Sequence, residues 1–342
     1  LKIYRLVLLL AVLPILFFMS GCSQSNAPQA ETTLTVTDQL GRTVTVPQPI
    51  TRISALHHVG GKIVYALGRQ NLLVDQALYG VESNLMSKID PKFAAMPKLL
   101  KGHAINTEEL VALKPQVVFA YASFDKSEME PIENAGIKVI GIKAETLQDS
   151  FEAVKLVAQV LGCPEKGRAY LDDCQKLLDL VQERVTTIPS QDRLKVMFAG
   201  PKSIYTVATG EMLQRTLIER AGGFFVSQEL KGFWADVSPE QVVAWNPDVI
   251  FLGSSLETYG MDEIYKNTQF KTVKAIQAKK VFTFPSNVGW WDFPAPHCVL
   301  GVVWSAKTLY PDRFKDVDML KVADDFYLKY LGHSFTELGG KL

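Results

Sequence analysis

The pattern of apolar and polar residues is most informative at residues 106–121, NTEELVALKPQVVFAY, because it returns at residues 238–253 as SPEQVVAWNPDVIFLG. Glu108 pairs with Glu240, Val111 with Val243, Ala112 with Ala244, Pro115 with Pro247, Val117 with Val249 and Phe119 with Phe251. Each copy opens on N-cap residues, Asn106 or Thr107 in the first and Ser238 before Pro239 in the second, with a glutamate near the positive end of the helix dipole. Each runs on as a short amphipathic helix, stops at a proline, and enters an apolar run short enough for a buried strand. Helix, turn and strand used twice predict two α/β lobes of similar design.

The rest of the pattern fits around these copies. Residues 34–47 alternate about Gly41 and predict a β-hairpin; residues 52–56 predict a strand, followed by the loop His57-His58-Val59-Gly60-Gly61 and a helix through Leu67. A helix near 126–134 and the strand 136–142 complete a first lobe over 34–145. Residues 146–190 carry apolar residues at three- and four-residue spacing, broken at Gly162 and Pro164, and predict a helical connector. Its second segment would be on the order of 30 Å long, enough to bridge two lobes. Residues 191–342 repeat the design, with strands at 194–200 and 279–285, a helix at 212–223, and helices at 299–311 and 320–331; from Gly332 the chain is expected to fray. The fold class expected is two Rossmann-like α/β lobes joined by one long helix, with a ligand cleft between them.

Composition changes the picture in two ways. With 36 basic and 36 acidic side chains there is no net field, so nucleic acid is not an expected partner. The first 22 residues stand apart: Lys2 and Arg5, then thirteen apolar residues from Leu6 to Phe18, then Met19-Ser20-Gly21-Cys22. This predicts an export signal, since spanning a bilayer takes roughly 20 residues. Residues 23–33 are polar without a period and predict a flexible tether. In an oxidising compartment Cys163 and Cys174 are either bridged or buried free thiols.

Loops following strands toward an interlobe cleft are where such a pair of lobes binds a ligand. Here they carry His57, His58, His103, Tyr121 and Phe124 from the first lobe, and Lys202, Tyr205, Phe233, Trp234, Trp290, Trp291, Asp292 and His297 from the second; Lys101 lies beside His103. Four of the five histidines and three of the five tryptophans fall in these loops, which points to a ligand with flat or hydrophobic surface and a metal or anionic centre. Of the two adjacent indoles one is expected to pack under the lobe while Trp291 caps the ligand; Asp292 would ligate a metal, orient a histidine or satisfy loop backbone. No HExxH, GxSxG or Walker loop is present, so the chain is expected not to be an enzyme, an extracytoplasmic metallohydrolase being the alternative of another class.

MSGC at residues 19–22 resembles a bacterial lipobox, with Met19 in place of the usual leucine. Together with the two E-x-x-x-x-x-x-P-x-V stretches, IERAGG at 218–223 and APHCVLGVVWSAKTLYPDRF at 295–314, it resembles the substrate-binding lipoproteins of bacterial ABC importers, in the class whose lobes are joined by one rigid helix. The resemblance covers essentially the whole chain. It implies lipidation at Cys22, attachment to a membrane at its outer face or in the periplasm, no intrinsic cofactor, and a monomer that serves a permease dimer with its ATPase. It also implies that Glu108 and Glu240 dock onto permease arginines. The class carries iron-siderophores, haem, cobalamin and, in some members, molybdate or tungstate. An iron chelate is the first expectation, an oxyanion held by the histidines, Lys101, Lys202 and indole N–H groups the main alternative; capture of free zinc or manganese is a third.

Overall fold

The computed structural model describes residues 32–76, 81–101, 104–121, 125–253, 256, 259–285 and 287–342. Cys22, His103 and Phe124, named above, lie outside the described residues.

The described residues begin with the hairpin β1 (Thr32–Thr37) and β2 (Thr43–Gln48), paired from Thr32 opposite Gln48 to Thr37 opposite Thr43. Gly41 supplies the left-handed turn residue at φ 77°. The buried Asp38 carboxylate accepts the N–H groups of Leu40 and Arg42 within the turn, and that of Gly141 across to the next layer.

Next come β3 (Ile53–Ala55), α1 (His58–Ala66), α2 (Val81–Ile89), the short pair β4 (Leu100–Lys101) and β5 (Ala104–Ile105), α3 (Thr107–Ala112), β6 (Val117–Tyr121), α4 (Lys126–Asn134) and β7 (Lys138–Ile142). Strands β3, β6 and β7 form a parallel sheet with β6 in the middle. Being covered on both faces, β6 is apolar throughout, VVFAY, rather than alternating.

Two helices follow, α5 (Leu147–Val160) and α6 (Pro164–Val185). A capping box at Thr146 starts α5, and Pro164 at the first turn starts α6. Helix α6 has 22 residues, ~33 Å at 1.5 Å per residue, and buries Gly167, Tyr170, Cys174, Leu178, Val181 and Val185, one stripe at three- and four-residue spacing. A Cβ on Gly167 would stand 2.5 Å from that of Ala158, so glycine permits the close approach of α5 and α6.

The second half holds β8 (Lys195–Ala199), β9 (Thr206–Val207), α7 (Leu213–Arg220), β10 (Phe224–Phe225), β11 (Ala235–Asp236), α8 (Pro239–Trp245), β12 (Val249–Leu252), α9 (Gly260–Lys266), α10 (Lys274–Gln277), β13 (Val281–Thr283), α11 (Val299–Leu309) and α12 (Met319–Leu331). Its sheet runs β11-β9-β8-β12-β13, with β10 beside β8; β8, β10, β12 and β13 are parallel, whereas β9 and β11 join in antiparallel fashion. The repeat maps onto α3–β6 and α8–β12, each strand flanked on both sides in its sheet.

One hydrophobic core joins Val59 and Phe119 of the first half to Tyr170 and Val181 of α6 and to Phe198, Phe251, Trp304 and Tyr327 of the second. Smaller clusters, around Leu110, Val118 and Ile132 and around Met197, Ile250 and Phe270, cover the far face of each sheet. Cys163, Cys174 and Cys298 are buried free thiols, so the Cys163–Cys174 bridge does not form. The end of the chain corrects another expectation: beyond the left-handed cap Gly332, Phe335 is buried against Trp291 and Tyr327, so this tail is packed rather than frayed. Among the described residues no helix is long and apolar enough to cross a membrane.

Candidate functional site

The mixed α/β fold leaves an open cavity of about 470 Å³ whose walls come from both halves of the chain, within the size range of small-molecule sites. His57, His58 and Tyr121 form one wall. His57 follows β3 and caps α1: its backbone N–H donates to the carbonyl of Phe119 on β6, and its Nδ1 accepts the N–H of Val59 at 3.0 Å. Tyr121 ends β6, which brings its ring centroid 3.7 Å from that of His57 and its hydroxyl into a hydrogen bond with Nδ1 of His58. Gly60 permits this, because a Cβ there would stand 3.1 Å from that of Phe119.

The electrostatics of this wall are unusual. Burial, and then the nearby Lys62, push the His57 imidazole down to about 3, and the same causes hold His58 well below the usual histidine range. Both rings are therefore neutral at pH 7. A neutral ring whose Nδ1 accepts a hydrogen bond carries its proton on Nε2, so His57 is a donor at Nε2. Nε2 of His58 is buried and has no hydrogen-bond partner among the described residues.

The remaining walls are Lys143 to Thr146, after β7; Glu211 to Gln214, at the start of α7; Gly232, Phe233 and Trp234; and Phe293 with Pro294. Burial and the charge of Asp149 raise the Glu145 carboxyl above its ordinary value. Lys143 to Thr146 and Glu211 to Gln214 do not figure among the sequence candidates. The rule that ligands gather at the carboxyl ends of parallel strands, applied to β7 as well as to β3 and β6, would have found the first group. The second depends on a long-range contact, the Gln214 amide donating to the carbonyl of Asp292 at 2.8 Å, and has no local signal.

Several other candidates sit elsewhere. Trp291 is fully buried, its indole N–H donating to the Tyr327 hydroxyl at 3.1 Å, so the choice between the two indoles is reversed: Trp290 is the partly exposed one, its ring 4.9 Å from that of Phe293. Tyr205 packs on Phe270 and hydrogen-bonds to Asn267, away from the cavity. Lys202 does not line it, and Asp292 is buried beside Gly253. His297 points into a separate interior space of about 20 Å³ with Lys62, Tyr170 and Tyr327, and burial pushes its imidazole down to about 3. Glu108 and Glu240 are exposed in the first turns of α3 and α8, where Glu240's own backbone N–H and then the Ser238 hydroxyl lower the Glu240 carboxyl. Among the described residues no group of three or more His, Cys, Asp or Glu could hold a metal ion.

The chain also matches a known family: the model described as periplasmic binding protein covers residues 53–288. The chain belongs to the periplasmic binding protein family. The molybdate-binding protein MolA of Haemophilus influenzae is 30% identical over 330 residues, covering 88% of this chain and 91% of that protein. A vitamin B12-binding protein of Photorhabdus laumondii is 22% identical, covering 73% and 84%. The solved structure of MolA bound to molybdate superposes with a TM-score of 0.77 at 26% identity, covering 88% of this chain and 98% of that one. Helicobacter pylori CeuE with nickel(II) bound shares the fold, with a TM-score of 0.72 at 21% identity and coverage of 90% and 98%. As a periplasmic binding protein the chain is the solute-binding component of an ABC transporter, the class the sequence resembles.

Proposed function

We propose that this periplasmic binding protein captures a tetrahedral oxyanion of the molybdate or tungstate kind. The observation that carries this reading is the hydrogen bond from the Val59 N–H to Nδ1 of His57, which leaves the proton on Nε2 and makes His57 a donor rather than a metal ligand. Neutral donors in a desolvated wall hold an anion well, because the anion's charge strengthens each hydrogen bond. The N-terminus of α1 and the charge of Lys62, which disfavours imidazolium on the same wall, add to that attraction. The likeness to MolA supports the same ligand class. The iron chelate favoured from the sequence becomes the second reading, supported by the cavity's size and by the aromatic groups Phe233, Trp234 and Phe293 on its walls.

The sequence boundaries at 34–145, 146–190 and 191–342 serve as the proposed lobes and connector, with α6 as a stiff bridge that limits closure. Glu108 and Glu240 are the proposed docking pair, supported by their exposure at equivalent helix starts of the repeat. Two like carboxylates in this arrangement suit a partner with two-fold symmetry. Cys22 is the proposed lipid attachment site.

Titration calorimetry of the purified chain with molybdate, tungstate, ferric siderophore, haemin and cyanocobalamin tests the ligand. Saturable binding of molybdate and tungstate, with the coloured chelates left free, is expected. Retention of a coloured chelate without oxyanion binding would establish the second reading instead.

A further inference from the structure

Phe233 is 66% exposed, the most exposed large apolar side chain among the described residues, yet it stands at the edge of the cavity. Its backbone is not free to wander. Gly232, at φ 79°, donates its N–H to Glu211 at 2.8 Å and accepts the hydroxyl of the buried Thr209 at its carbonyl, while Lys231 pairs with the same glutamate at 3.6 Å. On the other side Trp234 packs against the core beside Phe198, and β11 then pairs with β9. The segment is thus tied on both sides of a phenyl ring that faces water. Keeping an aromatic ring in water forgoes the stabilisation that burial would bring. Its neighbours on the cavity, Tyr121, Trp234 and Phe293, are all partly buried already.

We propose that Phe233 is the retention residue of this site: it folds over the bound ligand from the second-half rim and sets the rate of release. The inference rests on the reading that ligand binds in this cavity, not on the ligand being an oxyanion. With the ring down, water is shut out from His57, His58 and Tyr121, whose hydrogen bonds to a ligand strengthen as the local dielectric falls. Because the ring comes down after the ligand has entered, its loss acts on departure rather than on encounter.

The test follows release of molybdate, ferric siderophore, haemin and cyanocobalamin, each loaded on the full chain and chased after removal of free ligand. Whichever probe the wild type retains is then compared in Phe233→Ala and Phe233→Leu. Release from Phe233→Ala at least about ten-fold faster, with the association rate within about two-fold of wild type and Phe233→Leu in between, is expected. Unchanged release overturns the inference, as does a loss confined to association. Retention of a chelate but not molybdate overturns the oxyanion reading while still testing Phe233. A wild-type chain that retains none of the four overturns both. Because Phe233 is exposed, the urea midpoint of each variant should match wild type, which separates loss of retention from loss of fold.

Discussion

Lys114 and Asn246, at equivalent positions of the two repeat copies, both adopt left-handed backbone, at φ 50° and 45°, immediately before the prolines that start the turn. The shared conformation ends α3 and α8 and redirects the chain into β6 and β12. After each proline the next side chain ties down the neighbouring strand: Gln116 accepts the N–H groups of Thr51 and Arg52, and Asp248 accepts that of Lys195. Asparagine tolerates this conformation better than lysine. Lys114→Gly should therefore raise stability by about 1 kcal/mol, and Lys114→Asn by less, as read from urea unfolding midpoints. A fall in midpoint for Lys114→Asn would show that the lysine side chain contributes something its backbone cost conceals.

The glutamates of the same repeat bear on transport. Charge reversal at Glu108 or Glu240 should impair uptake, and the double variant should abolish it, with ligand affinity within about two-fold of wild type because both residues are remote from the cavity walls. Uptake in cells beside calorimetry on the pure protein checks this. Normal uptake by the double variant would remove the docking role.

Tyr121 is placed to touch the ligand and to hold His58. Tyr121→Phe should weaken molybdate binding about ten-fold, the cost of a hydrogen bond to a charged group, and should also lower the urea midpoint by an amount equivalent to about 1 kcal/mol, because His58 loses its partner. Calorimetry decides it; full affinity in the variant would mean that the hydroxyl serves His58 alone.

Stability should fall on mild acidification. His57 and His297 have folded-state values of about 3, below the usual 6.5, so their contribution is complete above about pH 6.5 and is lost as pH falls toward 3. Each contributes a slope of about 1.4 kcal/mol per pH unit in that window. Asp75, raised to about 6 by burial, opposes them between about pH 4 and 6, since its contribution is lost as pH rises. His58, lowered in the same direction as the other imidazoles, keeps the balance on the histidine side. The urea midpoint at pH 5 should accordingly lie below that at pH 7, and His297→Gln should flatten the difference. Equal midpoints in the wild type would mean that these rings titrate as if exposed.

What could be read locally held up. The two α–β units, the hairpin about Gly41, the starts of α5 and α8 at Thr146 and Ser238, and the stripe of α6 all depend on residues within a few positions of one another. Caps, turn residues and helical periods act at that range, so the fold class and family were legible in the chain itself. The site was legible where it follows a strand end directly, as at His57, His58 and Tyr121, and in the aromatic pair Phe233 and Trp234. Which of Trp290 and Trp291 faces outward was decided by Tyr327 and Phe335, some forty residues further along. His297 went to an interior space shared with Lys62 and Tyr170, and Glu211 to Gln214 reached the cavity through a contact with Asp292. Packing between distant segments settles which face of a loop residue is buried, and no short-range pattern encodes it; that is why the sequence determined the elements, their order and part of the site, while the tertiary structure selected which of the remaining loop side chains line the cavity.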